Sequence, residues 1–356
     1  MSSTRSFSHS QAVVMMVVAA LMWSIAGVVT RQLESAVRFE VTFWRSAFNV
    51  LSLLLILPLW RAANRRAERV MSRPAPVARR SAVAAFLHRH WGLLPESPAF
   101  WVSGLCWSVM FTAFMVGLTF TSVANVLIIM AIGPLLTALL SRVVTGQPMA
   151  LRVWVTIVVA GAGMVYMYGG QMLALMGSDE AQAHDLVLGS LIALGVPVAA
   201  AVNWTVVQRS QSQGERIDLV PSVLLGAAIS ALATWPLATP FAASGRDIAW
   251  LALLGLCQLA IPCMLAVTAA RVLKAPEVSL LALLEVVFGI LWPWLWANEA
   301  PGSQVLAGGS VVLGALVINE LLSWRGRAET PRIQVLEAEA ARPASSLGTT
   351  PPEKPL

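Results

Sequence analysis

The sequence predicts an all-α membrane protein, with ten transmembrane helices arranged as two inverted five-helix repeats. Three observations carry that prediction: composition, a series of apolar windows, and a match between the two halves. Of 356 residues, 57% are hydrophobic and only 12% charged, whereas a soluble domain carries about 25% charged residues. Mean hydropathy is +0.73.

A helical span needs roughly 20 mostly apolar residues. Such windows run over 11–30, 41–60, 100–120, 122–140, 153–170, 188–208, 220–237, 248–270, 278–296 and 304–322. None shows the alternation of a barrel strand, and backbone groups in lipid must be paired internally, which leaves a helical bundle. The first window follows Arg5 but is too long for a signal-peptide core and lacks a small-residue cleavage site, so it is read as a retained helix.

Charge position gives the expected orientation. Arg61, Arg65, Arg66, Arg69, Arg73, Arg79, Arg80 and Arg89 fall between windows 2 and 3. With a cytoplasmic N-terminus, the same side gains Arg142, Arg152, Arg209, Arg216, Arg271, Lys274, Arg325 and Arg327, leaving Arg31, Arg38 and Arg246 outside. The positive-inside rule therefore places both termini in the cytoplasm of a bacterial-type inner (plasma) membrane. The basic balance is accounted for by topology, and no nucleic-acid partner is expected.

The resulting organisation is a cytoplasmic N-terminus (1–10), a first five-helix repeat (11–170) with a basic cytoplasmic loop (61–98), an external loop (171–187), a second five-helix repeat (188–324) and a disordered cytoplasmic tail (325–356). The tail has the Ala, Pro and Glu bias of unfolded segments. The loop either fixes topology near anionic lipid or recruits a partner.

The repeat rests on two alignments. WSIAGVVTR at 23–31 lies on AVNWTVVQR at 201–209, sharing VV and the final Arg. ANVLIIMAIGPLLTALLSRVVTGQP in window 4 lies on the window 9 segment containing VSLLALLEVVFGILWPWLWANEAP, with Pro134 opposite Val286, Gly133 opposite Glu285 and Gln147 opposite Glu299. Each is followed by a small-residue helix, VVAGAGMVYMYGG or VLAGGSVVLGALVI, suited to close helix packing. Because five is odd, the second half enters from the opposite side, as in alternating-access carriers with a site near the bilayer midplane.

Few groups at depth offer chemistry. No Asp lies in any window, and His9, His88, His90 and His184 lie outside them. Cys106, Cys257 and Cys263 are scattered, and no Walker-type loop occurs. Intramembrane protease chemistry and ATP-driven pumping lack their parts. The chain is read as not an enzyme, with no catalytic residue, metal or cofactor.

Glu285 sits mid-window, where an isolated charge costs at least about 2.5 kcal/mol. It is either a protonatable coupling or substrate site or a protonated structural clasp. Arg45 is either an interfacial anchor or an electropositive wall. Asn125 and Asn203 bind substrate or tie helices. Trp23, Trp107, Trp204 and Trp292 line a cavity or pack. Pro134, Pro197 and Pro293 act as helix hinges or static kinks.

The two halves, with TSVANVLIIMAIGPLLTALLSR and APEVSLLALLEVVFGILWPWLWANE, resemble the EamA branch of the drug/metabolite transporter superfamily. The resemblance covers about Val14 to Leu322 apart from 61–98. It implies ten helices, inverted repeats and export or exchange of small metabolites. Members typically carry a Pro late in helix 4 and a Glu-Pro pair in helix 9, each with a Gly-Glu-like exit pair. Here Pro134 and Glu285 are kept, Gln147 and Val286 depart, and Asn298 and Glu299 occupy the second exit.

The expected function is a secondary exporter of a small metabolite such as an amino acid, by alternating access, with a small-molecule substrate, a lipid bilayer and H+ as partners. A homodimer is compatible with it. The alternatives are a multidrug, sugar or nucleotide-sugar carrier, or a non-transporting membrane scaffold.

Overall fold

A computed structural model of the protein describes residues 8–30, 32–36, 38–69, 90–92, 97–121, 123–146, 149–176, 180–213, 218–297 and 302–340. Among these, every regular element is helical. Six stretches are long and apolar enough to cross a bilayer: His9–Thr30, Phe39–Ala62, Pro98–Phe120, Val126–Thr145, Val187–Ser212 and Gly245–Ala269. Leu151–Met167, Pro221–Leu237 and Ser303–Asn319 are shorter apolar helices. Leu55, Leu59 and Val143 stand more than 70% exposed. Such a surface is stable only in a solvent as apolar as a lipid tail.

Several windows fold as broken helices. The first divides into α1 (His9–Trp23) and α2 (Ala26–Thr30), where the Ser24 hydroxyl donates to the Leu21 carbonyl at 2.6 Å and competes with the helical ladder. After α3 (Arg38–Arg69) and α4 (Pro98–Phe120), window 4 divides into α5 (Val123–Met130) and α6 (Gly133–Thr145). Pro134 stands in the first turn of α6, where its missing N–H costs least.

α7 (Leu151–Met176), α8 (Glu180–Ser212) and α9 (Pro221–Thr234) follow. The eighth window joins α10 (Gly245–Leu253) to α11 (Ile261–Ala269) through a π-helical segment, Leu254–Ala260. Pro262 cannot supply the N–H that an α-helix would direct at the Gln258 carbonyl, which accounts for a change of winding there.

Window 9 divides at Leu283 into α12 (Ala275–Ala282) and α13 (Leu284–Ala297). In the register that sets Pro134 opposite Val286, Ala131 falls opposite Leu283, so the breaks in the two halves coincide. The last helix, α14 (Ser303–Ala340), continues past Arg325, where the sequence predicts disorder. Ala, Glu and Leu after Pro331 are strong helix formers. Residues 70–89, 93–96, Gln147, 298–301 and 341–356 lie outside those described.

α4 packs on α8 and α9, α9 also on α3, and α7 on α14. α6 meets α8 and α12, while α1 lies against α11, α12 and α13. Small residues set these approaches. A Cβ on Gly308 of α14 would lie 2.6 Å from the Gly163 carbonyl oxygen of α7, and one on Gly255 would lie 2.8 Å from the Asn49 nitrogen of α3.

Charged groups gather at two opposite faces. On one, Asp218 receives Arg61 at 3.0 Å and Arg271, and His9 lies 3.5 Å from Glu277. On the other, two buried carboxylates cap each other's loops. Glu40 at the start of α3 accepts the Ala242 and Ala243 N–H groups at 3.0 and 2.9 Å, while Asp247 at the start of α10 accepts those of Glu34 and Ser35, both at 3.0 Å. We call these the Asp218 face and the Glu40 face.

The α7–α14 contact gives a direct test of packing. Gly308→Val should cost about 1–3 kcal/mol through overpacking and lower the unfolding temperature in detergent. Gly161→Ala, whose Cβ would meet nothing within 4 Å, should leave it unchanged.

Candidate functional site

The site is built where the helices break. Trp23 ends α1, Met130 ends α5, Ala282 ends α12 and Glu285 stands in the first turn of α13, while Gln258 lies in the π-helical segment. All five border one cavity of about 120 Å³, together with Arg45 of α3, Trp107 and Phe111 of α4 and Trp204 of α8. A helix break leaves backbone groups without intrahelical partners, so such breaks are tolerated at membrane depth only where protein or a cavity surrounds them.

Arg45 is 1% exposed, and its charge is solvated by protein. Nη1 donates to the Gln258 side-chain oxygen at 3.3 Å and Nη2 to the Phe111 carbonyl at 3.1 Å. The guanidinium carbon lies 6.0 Å from the Phe114 ring centroid. Gln258 in turn donates to the Trp23 carbonyl at 3.5 Å, the long limit of a hydrogen bond. One side chain thus links α3 and α4 to the π segment, and through it to the end of α1.

Glu285 is half-buried on the same cavity, and no hydrogen bond from a described residue reaches its carboxylate. It attracts Arg45 through space without forming an ion pair with it. Between the two charges the walls are aromatic and apolar. Trp107 and Trp204 meet edge to face with centroids 5.7 Å apart, and Phe111 lies 5.4 Å from Trp107.

The structure therefore brings Glu285, Arg45, Trp23 and Trp204 together. Asn203 lies elsewhere: its side-chain oxygen accepts the Ser103 hydroxyl at 2.6 Å, and Ser103 meets Ser222 at 2.7 Å, tying α4, α8 and α9. Asn125 lies in α5, its side chain outside those described. Trp292 donates to Ser24 at 2.7 Å beside the first break.

Of the hinge candidates, Pro134 follows a break and lies close to the site. Pro197 sits within continuous α8, with its Cβ 3.6 Å from where a Gly133 Cβ would be, and Pro293 sits within α13. Gln258 borders this cavity and holds Arg45, and sequence reasoning missed it. The available signal was its place as an uncharged polar residue in the middle of window 8.

Toward the Asp218 face, hydrogen bonds tie α6, α8 and α12 together. Thr137 of α6 donates to Ser279 of α12 at 3.2 Å, and the Gln208 side-chain oxygen accepts Ser141 at 3.1 Å and the Ala275 N–H at 2.9 Å. A larger groove of about 320 Å³ lies near the Asp218 face between Ser97 and Arg209. It lacks the two opposite charges that border the smaller cavity.

A model of the EamA-like transporter family matches residues 10–169 and again 187–320. A solved structure, described only as the crystal structure of a protein, is 18% identical, with 88% of this chain and 99% of that chain covered at a TM-score of 0.65. That likeness is one of fold. No protein of curated function matches the chain by sequence.

The support of Arg45 by Gln258 is measurable. Gln258→Leu leaves a buried guanidinium nitrogen without its acceptor and should cost about 1–3 kcal/mol. In a double-mutant cycle, Arg45→Met combined with Gln258→Leu should cost less than the sum of the single changes. Additive costs in detergent unfolding would show that the two do not interact.

Proposed function

The chain belongs to the EamA-like transporter family, and we propose that it is a secondary exporter of a small zwitterionic metabolite of amino-acid type. The observation that carries this reading is that Arg45 and Glu285 border one aromatic cavity without pairing with each other. A ligand with a carboxylate and an ammonium satisfies both, and its side chain fills the space between Trp204, Met130 and Phe114.

Size and charge favour this over the multidrug and nucleotide-sugar alternatives. The cavity, at about 120 Å³, is well below the roughly 300–1,000 Å³ of drug-sized sites. A nucleotide sugar would also call for several cations, and among the described residues Arg45 is the one cation lining this cavity. A scaffold has no use for charges facing a cavity at helix breaks.

In the proposed cycle the two five-helix halves form an inverted pair of ten spans, with both termini and the Asp218 face cytoplasmic. The Thr137–Ser279 and Gln208 contacts close that face in this state. Their separation, with closure toward the Glu40 face, exposes the site to the cytoplasm. H+ is the coupling ion: protonated Glu285 releases its proton as the substrate ammonium arrives, and takes one up again after release.

Counterflow of radiolabelled amino acids in proteoliposomes should identify a transported substrate. Glu285→Gln should lower proton-driven transport at least tenfold and flatten its dependence on pH. A variant with wild-type rate and pH profile would remove H+ coupling through this residue.

A further inference from the structure

The groove of about 320 Å³ near the Asp218 face runs between the first turns of α4 and the last turns of α8. These helices supply two of the apolar spans, Pro98–Phe120 and Val187–Ser212. One span starts and the other ends beside the groove, which therefore stands where both leave the hydrocarbon. Trp101, 46% exposed in the first turn of α4, is of the residue type enriched at headgroup level.

The lining changes in polarity with depth. Ser97, Arg209, Ser210 and Gln213 lie toward the helix ends, whereas Val102 is about 7 Å deeper than Ser97 and Val206 about 10 Å deeper than Gln213, at 1.5 Å per residue. Beyond the groove, Leu105 and Val109 continue the Val102 face of α4 and stand 58% and 38% exposed.

Its cation is free to take a ligand. Arg209 is exposed, and its guanidinium has no hydrogen bond or ion pair among the described residues. Arg61 and Arg271, on the same face, both meet Asp218. No described residue lining the groove is acidic. The Ser97 hydroxyl accepts the Ala99 N–H at 3.2 Å and keeps its own proton to donate.

We propose that the groove between α4 and α8 binds an anionic phospholipid, its phosphate on Arg209 and an acyl chain passing Val206 and Val102 toward Leu105. A free phosphate would leave the two valines uncovered, and a zwitterionic lipid would bring its own cation up to Arg209. One cation near the bilayer surface is worth about fivefold in affinity for an anionic lipid. The groove shares no lining residue with the Arg45 cavity, so this site is independent of the transport reading.

The test reads shifts in unfolding temperature of the purified protein in detergent, with dioctanoyl phosphatidylglycerol, dioctanoyl phosphatidylcholine and inorganic phosphate as probes. Phosphatidylglycerol should act at about fivefold lower concentration than phosphatidylcholine, and inorganic phosphate should give no shift in the same range. Arg209→Gln should remove the preference for phosphatidylglycerol. Arg142→Gln, which removes another exposed cation with no partner among the described residues but outside the groove, should keep it. Val206→Phe, which fills the groove, should weaken both lipids.

Equal action of the two lipids, or a wild-type preference in Arg209→Gln, would overturn the proposal. A matching shift with inorganic phosphate would show a site for a free anion, and equal losses in Arg209→Gln and Arg142→Gln would show diffuse charge; either result overturns it. If Arg209→Gln does not fold, the wild-type ratio between the two lipids, compared with that of Val206→Phe, decides.

Discussion

The arrangement depends on how one buried cation is solvated. A guanidinium taken from water into a bundle at membrane depth carries a penalty of several kcal/mol unless its N–H groups find acceptors. Among the described residues no carboxylate pairs with Arg45, so neutral dipoles take that role: the Phe111 carbonyl and the Gln258 amide. Meeting Arg45 requires Gln258 to project from its helix at the right height. It does so from the seven-residue π segment, which a close approach at Gly255 presses against α3.

The breaks in the other helices complete the same centre. Each is a place where the backbone ladder is interrupted at the depth of Arg45, and together they leave a small cavity inside an otherwise packed bundle. The mutual capping of loops by Glu40 and Asp247 holds the N-terminal ends of α3 and α10 together at one end. Hydrogen bonds between α6, α8 and α12 hold the other. The neutral contacts are suited to a closure that must part, since each can exchange its partner for water at a small net cost.

Much of the architecture was legible because membrane insertion forces it into composition: apolar windows mark helices. The window 4 and window 9 alignment was informative in detail, since positions set opposite each other proved to be the positions where both helices break. Glu285 and Arg45 were visible as ionisable groups at depth. Asn203 was visible as a polar group, but its pairing with Ser103 depends on which face of α8 turns toward α4, and hydropathy has no angular content. The π segment was hidden for a related reason: Pro262 is visible, but whether a proline ends, kinks or rewinds a helix is decided by its neighbours. Glu40 and Asp247 were passed over because they lie at helix ends, where charge is unremarkable until the loops they cap are known.

The most direct measurement is a structure determined with a transported amino acid bound. The account predicts the ligand carboxylate toward Arg45, its ammonium toward Glu285 and its side chain between Trp204 and Phe114. Ligand density in the groove between Ser97 and Arg209, with the Arg45 cavity empty, would contradict it.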